Sequence, residues 1–160
     1  MKFAISFYDL SVWVHVSAVV VGLGTTFVGA VSFPLAMRAG VRHLPYVHEL
    51  QLAISQRITG PALGLVVVTG IYQTIDADWG FGSFWISATF AIVIALGAMN
   101  GVYFTPTDRK LAAQAQRELD ETGNVSDDYQ RKARTEGIMG GVAGLLIIAA
   151  VFLMVTKPGA

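Results

Sequence analysis

The sequence contains no cysteine, which removes disulfides, thiolate metal sites, Cys-ligated iron–sulfur clusters and thiol nucleophiles. Charge is scarce as well. Asp, Glu, Lys and Arg make up 14% of the chain, whereas water-soluble domains carry about 25%. There is no Gly-rich phosphate loop and no Ser/His/Asp constellation, so nucleotide cradling and triad hydrolysis lack residues to carry them. No carboxylate pair lies inside an apolar run, as a proton or ion transporter would require. Basic residues are never dense or interleaved with aromatics, which excludes nucleic acid as a partner. Methionine forms no cluster either, since Met1, Met37, Met99, Met139 and Met154 are scattered. That counts against copper as the cargo of a small-molecule or copper permease, the least favoured of the functional readings.

What the chain has instead is apolar length. Hydrophobic residues make up 54% of its 160 residues and the mean hydropathy is +0.57. Asp, Glu, Lys and Arg are absent from Leu10–Met37, Ile58–Ile75, Trp79–Thr107 and Gly137–Thr156. A helix crosses the hydrocarbon core of a bilayer with roughly 17–25 residues, and each run is long enough. Backbone in lipid must satisfy its own hydrogen bonds, which an unbroken apolar run does as a helix. The sequence therefore predicts an all-α integral membrane fold, an antiparallel four-transmembrane-helix bundle in one domain over 1–160. The helices are expected at about 8–38, 46–75, 82–105 and 130–157, with a polar connection over 106–136. The first run is expected to be retained rather than cleaved as a signal peptide. Its charge-free stretch exceeds an ordinary signal core, and Met1-Lys2-Phe3 supplies a single positive side chain.

The basic residues are segregated. Arg38, Arg42, Arg57, Arg109, Lys110, Arg117, Arg131, Lys132 and Arg134 fall in the connections after helices one and three, leaving Lys2 and Lys157 at the other side. The positive-inside rule then places both termini outside a bacterial inner membrane and the two basic connections in the cytoplasm. Within 106–136, Thr107 is expected to cap a helix through Leu119, Gly123-Asn124 to break it, and Ser126 to cap the next. Asp127/Arg131 and Asp128/Lys132 pair four apart on a solvated face. The connection is read as a helical, hairpin-like cytoplasmic extension that helps assembly. Between helices one and two, Val47, Leu50 and Ile54 give Pro45–Gln56 an amphipathic helical spacing. Pro61 is tolerable inside helix two if Thr59 or a neighbouring helix satisfies the carbonyl it frees.

Helix one carries the main candidate residue. Ser11, His15, Ala18, Gly22, Thr25, Gly29 and Ser32 recur at alternating steps of four and three, so they form one seam. Every member is small except His15. Small residues mark where membrane helices approach closely, and helix two (Gly60, Gly64), helix three (Ser83, Ser87, Ala91, Ala98, Gly101, Thr105) and helix four (Gly137, Gly140, Gly141, Gly144) offer similar faces. His15 is then expected to point into the bundle near its outer end. Two readings stand for it. One is a neutral imidazole bonded to a backbone carbonyl or a serine such as Ser87. The other is contact with a cofactor, since imidazole is a common axial ligand of haem iron and an ionisable group inside a bundle marks a functional site by default. Trp13, Trp79 and Trp85 gather near the outer ends of helices one and three, as an interfacial belt or as walls for a flat ligand. Asn100 is expected to make an interhelical hydrogen bond. His43, His48 and Glu49 lie together in the connection after helix one, but a five-residue separation fits neither helical spacing, so they are read as a solvated loop rather than a metal site.

The order of these features matches a known pattern: His15 and Pro34 on helix one, Arg57-Ile-Thr-Gly-Pro61, Trp85 at the entry to helix three, and a closing Val155-Thr-Lys157-Pro158. Over nearly the whole chain it resembles the small four-helix membrane protoporphyrinogen oxidases. It is similar, too, to their relatives among copper-resistance D domains and predicted bacterial membrane proteins of unknown function. In the oxidases a first-helix His and a Lys just inside helix three are the functional pair, associated with b haem. His15 matches the first. Trp85-Ile-Ser-Ala-Thr89 stands where the oxidases have a Trp followed by a His and a Lys, with Ser87 and Thr89 in their places. The cation that would pair with a porphyrin carboxylate is gone, which argues against protoporphyrinogen oxidation. The resemblance implies haem b, or another flat hydrophobic cofactor such as a quinone, near His15, Trp85 and Ser87, with His15 on the iron. The alternative from another class is a non-catalytic accessory subunit, packing through its small-residue faces against a membrane-protein partner or a second copy of itself.

Overall fold

The computed structural model describes residues 5–159; Met1–Ala4, with the Lys2 counted above, and Ala160 lie outside the described residues. All regular structure among the described residues is helical. Four long helices follow one another: α1 (Phe7–Ala39), α2 (Val41–Asp76), α3 (Phe84–Thr122) and α4 (Asp127–Thr156), each long and apolar enough to cross a membrane. Ser6 starts α1 with a reciprocal cap, its hydroxyl accepting from the Asp9 N–H at 3.1 Å while Asp9 accepts from the Ser6 N–H at 3.0 Å. Gly40 ends α1 at φ 125°, a conformation that favours glycine, and the chain reverses directly into α2.

The helices pack in a ring. The first half of α1 lies on the second half of α2, the start of α2 on the end of α3, the start of α3 on α4, and the second half of α1 on α4. One end of the bundle gathers the start of α1, the α2–α3 turn and the end of α4. There Phe7 meets Tyr72 edge-on at 5.4 Å, and Lys157 Nζ stands 4.2 Å over the Trp79 ring. The neighbouring helices therefore run antiparallel.

Helix three differs from expectation. Thr107 does not cap a new helix, and α3 runs on to Thr122, a length of about 58 Å at 1.5 Å per residue. Pro106 lacks an N–H and crowds the preceding turn. The chain absorbs this by widening over Met99–Phe104, where the Thr105 N–H reaches back to Asn100 O. Pro61 is handled the same way, with the Gly60 N–H bonded to Ser55 O. Thr59 is thereby released from repairing its own helix, and its hydroxyl bonds Thr25 of α1 at 2.9 Å instead. The expected break does occur at Gly123, in the left-handed region at φ 72°, and Ser126 caps α4 by accepting from the Tyr129 N–H. The first helix begins at Phe7 and the fourth at Asp127, and α2 starts at Val41, five residues before 46.

Two cores result. The first, within the apolar runs, joins Ala18, Leu23, Ala62, Leu63, Val66, Val93, Leu96, Ala143 and Ile147. The second lies beyond them and joins Ala36, Leu44 and Val47 to Leu111, Ala115, Val125, Tyr129 and Ala133. The polar connection is therefore not a solvated appendage. Its hairpin carries a core of its own, clamped on the start of α2.

Candidate functional site

Beside the second core, which Tyr129 joins, four side chains from three helices converge. His48 belongs to α2, Asp108 to α3, and Tyr129 and Glu136 to α4, where seven residues, two turns, place them on one face. His48 is buried to 2% exposure and lies against the Phe33 ring of α1. In the tautomer that satisfies both ring nitrogens, Nδ1–H donates to Asp108 Oδ1 at 3.0 Å and Nε2 accepts from the Tyr129 hydroxyl at 2.8 Å. Glu136 Oε2 lies 3.7 Å from the same Nδ1, and Glu136 Oε1 is buried with no hydrogen-bond partner. The ligand atoms of His48, Asp108 and Glu136 all fall within 4.8 Å of one another.

Glu136 is the last charged residue before the charge-free run that begins at Gly137. Burial, then the Asp108 charge, push its carboxyl above the ordinary carboxylate range. Burial and the neighbouring carboxylates likewise hold the Tyr129 phenol well above its ordinary value. Among the described residues neither Asp108 nor Glu136 has a Lys or Arg within 4.0 Å. Two buried carboxyl groups without a fixed cation are costly to ionise together.

A cleft of about 510 Å³ opens onto this group. All four helices line it: Phe27, Phe33 and Pro34 from α1, Gln51 and Ser55 from α2, Asn100 and Phe104 from α3, and Gly137, Gly140, Gly141 and Gly144 from α4. The α4 glycines create the space. A Cβ at Gly137, Gly140 or Gly141 would meet nothing within 4 Å, whereas one at Gly144 would touch Phe27 at 3.2 Å. Leu145 and Ile148, both exposed, give the mouth an apolar rim. The arrangement is the common one for small-ligand sites, an apolar pocket with a few convergent polar groups.

The residues singled out by the sequence lie elsewhere. His15 is half-buried, with Nδ1 2.8 Å from the Thr69 hydroxyl of α2 and Cε1 3.5 Å from the position a Cβ would take on Gly70. Its bonded side chain is Thr69, not Ser87. Trp85 is buried edge-on against Trp79 at 5.2 Å. Ser87 is exposed and donates to Phe81 O at 2.6 Å. None of the three lines the cleft. The seam does face inward, with Ser11, Ala18 and Gly22 buried and Val20, Val21 and Val31 exposed. Asn100 makes its expected interhelical bond, accepting from Ser55 Oγ at 2.8 Å.

His48 corrects the reading of a solvated loop. The local spacing to His43 was uninformative because the partners of His48 come from α3 and α4. A usable signal lay in the α2 series Leu44, His48, Gln51, Ser55, Thr59, Ala62 and Val66, which keeps steps of four and three. That stripe, rather than Val47, Leu50 and Ile54 alone, is the face α2 turns inward: Leu50 and Ile54 are half-buried, while Leu44, His48, Ser55 and Thr59 are buried. Asp108 and Glu136 carry a second signal, as the charges bounding runs three and four at one level of the bundle.

Residues 9–158 match the family described as predicted integral membrane protein (DUF2269). The chain belongs to this family. With its four apolar helices, it is an integral membrane protein, in agreement with the likeness to uncharacterised membrane proteins. No curated protein and no solved structure matches it.

Proposed function

We propose that this protein binds a membrane-soluble small molecule in the cleft between α1 and α4. The ligand is largely apolar and flat enough to lie on the glycine face of α4, and it ends in a hydrogen-bonding head of the kind a quinone or a porphyrin carries. The observation that carries this reading is the cleft itself, with apolar walls and glycines leading to a buried polar group. Glu136 Oε1, buried without a partner, leaves a carboxyl group free to hydrogen-bond that head. The chain is placed in a bacterial inner membrane as a single four-helix domain. Its termini lie outside and the α3–α4 hairpin in the cytoplasm, on the distribution of Lys and Arg. The cleft's polar end then faces the cytoplasmic side.

The test is extraction. Protein purified in mild detergent is extracted with organic solvent and analysed by mass spectrometry, beside a Gly140→Leu variant whose side chain fills the cleft. A compound stoichiometric with the wild type and depleted from the variant supports the reading. Identical profiles from two folded proteins sink it, and a stoichiometric protein partner in both would put the accessory-subunit reading in its place.

A second reading keeps haem b at His15, beside Trp85 and Ser87. It is favoured by Thr69 on Nδ1, because ligating imidazoles are usually oriented through their other ring nitrogen. A Soret band from haem-supplied cells that disappears in His15→Ala would support it. A colourless wild-type protein from such cells would end it.

A further inference from the structure

The polar group at the end of the cleft has the composition of a metal site. We infer that His48, Asp108 and Glu136 bind one divalent transition ion, of the Mn2+, Fe2+ or Zn2+ type, beside the second core. The inference goes beyond the cleft's organic ligand and does not require it.

Geometry supports it first. Nitrogen and carboxylate ligands sit about 2.0–2.2 Å from such ions, so two ligands on one ion are ~2.9 Å apart at a right angle and ~3.4 Å apart at a tetrahedral angle. His48 Nδ1 lies 3.0 Å from Asp108 Oδ1 and 3.7 Å from Glu136 Oε2, and one donor atom from each residue lies within 4.8 Å of the other two. Coordination would draw Glu136 Oε2 inward from 3.7 Å. The three ligands come from three helices already fixed by packing, so the site is held by the tertiary structure.

Charge supports it independently. With the ion bound, one neutral imidazole and two ionised carboxylates sum to minus two, which a divalent ion neutralises, and among the described residues no Lys or Arg within 4.0 Å performs that task. The donor set selects the class of ion. An imidazole with two carboxylates suits borderline transition ions better than Ca2+ or Mg2+, and without cysteine there is no thiolate to favour softer ones. Tyr129 completes the arrangement. With Nδ1 on the metal, Nε2–H donates to the Tyr129 hydroxyl 2.8 Å away, the outer contact that orients a ligating imidazole. Three protein ligands leave positions open, as in sites that bind water or substrate.

The experiment uses full-length protein in detergent, stripped with chelator and titrated with Co2+ at neutral pH. The visible absorption of Co2+ reports nitrogen and oxygen coordination, and elemental analysis after dialysis against Mn2+ or Zn2+ gives the stoichiometry. The expected result is one ion per chain, with affinity at least tenfold weaker in His48→Asn and in Asp108→Asn. Tyr129→Phe, which keeps every ligand, weakens binding about 10–100-fold. Failure of the wild type to take up any of the three ions saturably at one per chain overturns the inference. So does undiminished binding in His48→Asn. The wild-type titration decides alone if a variant does not fold. Gly140→Leu retains the ion while losing any extracted compound, so the two readings fail separately.

Discussion

At Gly22 the backbone of α1 touches α2 so closely that an added Cβ would collide with the Cβ of Ala62. Gly24, two residues on, faces open space. Gly22→Leu is therefore expected to destabilise the bundle by about 1–3 kcal/mol through overpacking, while Gly24→Leu stays within about 0.5 kcal/mol of the wild type. Unfolding in mixed detergent micelles measures both, and equal effects would refute the close approach. Polar contacts inside the bundle are worth less. Asn100→Ala removes the bond from Ser55 and is expected to cost about 0.6 kcal/mol, the typical value for interhelical hydrogen bonds in membranes. At this scale the seam of α1 was legible, because size and spacing alone mark a close approach. His48 was not. Its burial depends on side chains 60 and 81 positions away, which local spacing does not reveal.

The α3–α4 hairpin shows what an element adds to its residues. Glu118 stitches the end of α3 to the start of α4, its carboxylate accepting from the Ser126 N–H at 2.7 Å and the Ser126 hydroxyl at 2.8 Å. The Ser126 backbone bond, then the Gln114 side chain, hold the Glu118 carboxyl below its ordinary value of 4.5. A carboxyl depressed in the folded state adds stability that is fully present above its unfolded value. That contribution disappears as the pH falls through the lower, folded one. Amide protection at Ser126–Tyr129 is accordingly expected to fall as the pH drops below about 4.5. In Glu118→Gln it should already be low at pH 7 and insensitive to further acid. Hydrogen exchange corrected for intrinsic rates checks this, and a wild-type loop unaffected by acid would contradict it. Gly123→Ala places a Cβ at φ 72° and is expected to cost about 1–2 kcal/mol. Thermal unfolding compared with the wild type reads that cost. The helix-three boundary misread at Thr107 belongs to this scale as well: a proline and a threonine mimic a helix start, while a widened turn lets the helix pass through them.

For the whole molecule, the absence of cysteine makes orientation directly measurable. Gly82→Cys in the α2–α3 turn is expected to react with a membrane-impermeant maleimide added to intact cells, and Asn124→Cys only after the cells are opened. The reverse pattern would invert the assignment made from basic residues. That assignment, the four crossings and the inward seam of α1 come from the sequence by itself. Each rests on a one-dimensional quantity: an apolar length set against bilayer thickness, a count of Lys and Arg, a helical period. Tertiary structure alone decided where the candidate site lies. The glycines of α4 become a cleft only when α1 stands opposite them, and His48, Asp108, Tyr129 and Glu136 become one group only when three helices are brought to register. Hydropathy fixes which segments enter the membrane, but packing between helices fixes which side chains meet, and the candidate site is made entirely of such meetings.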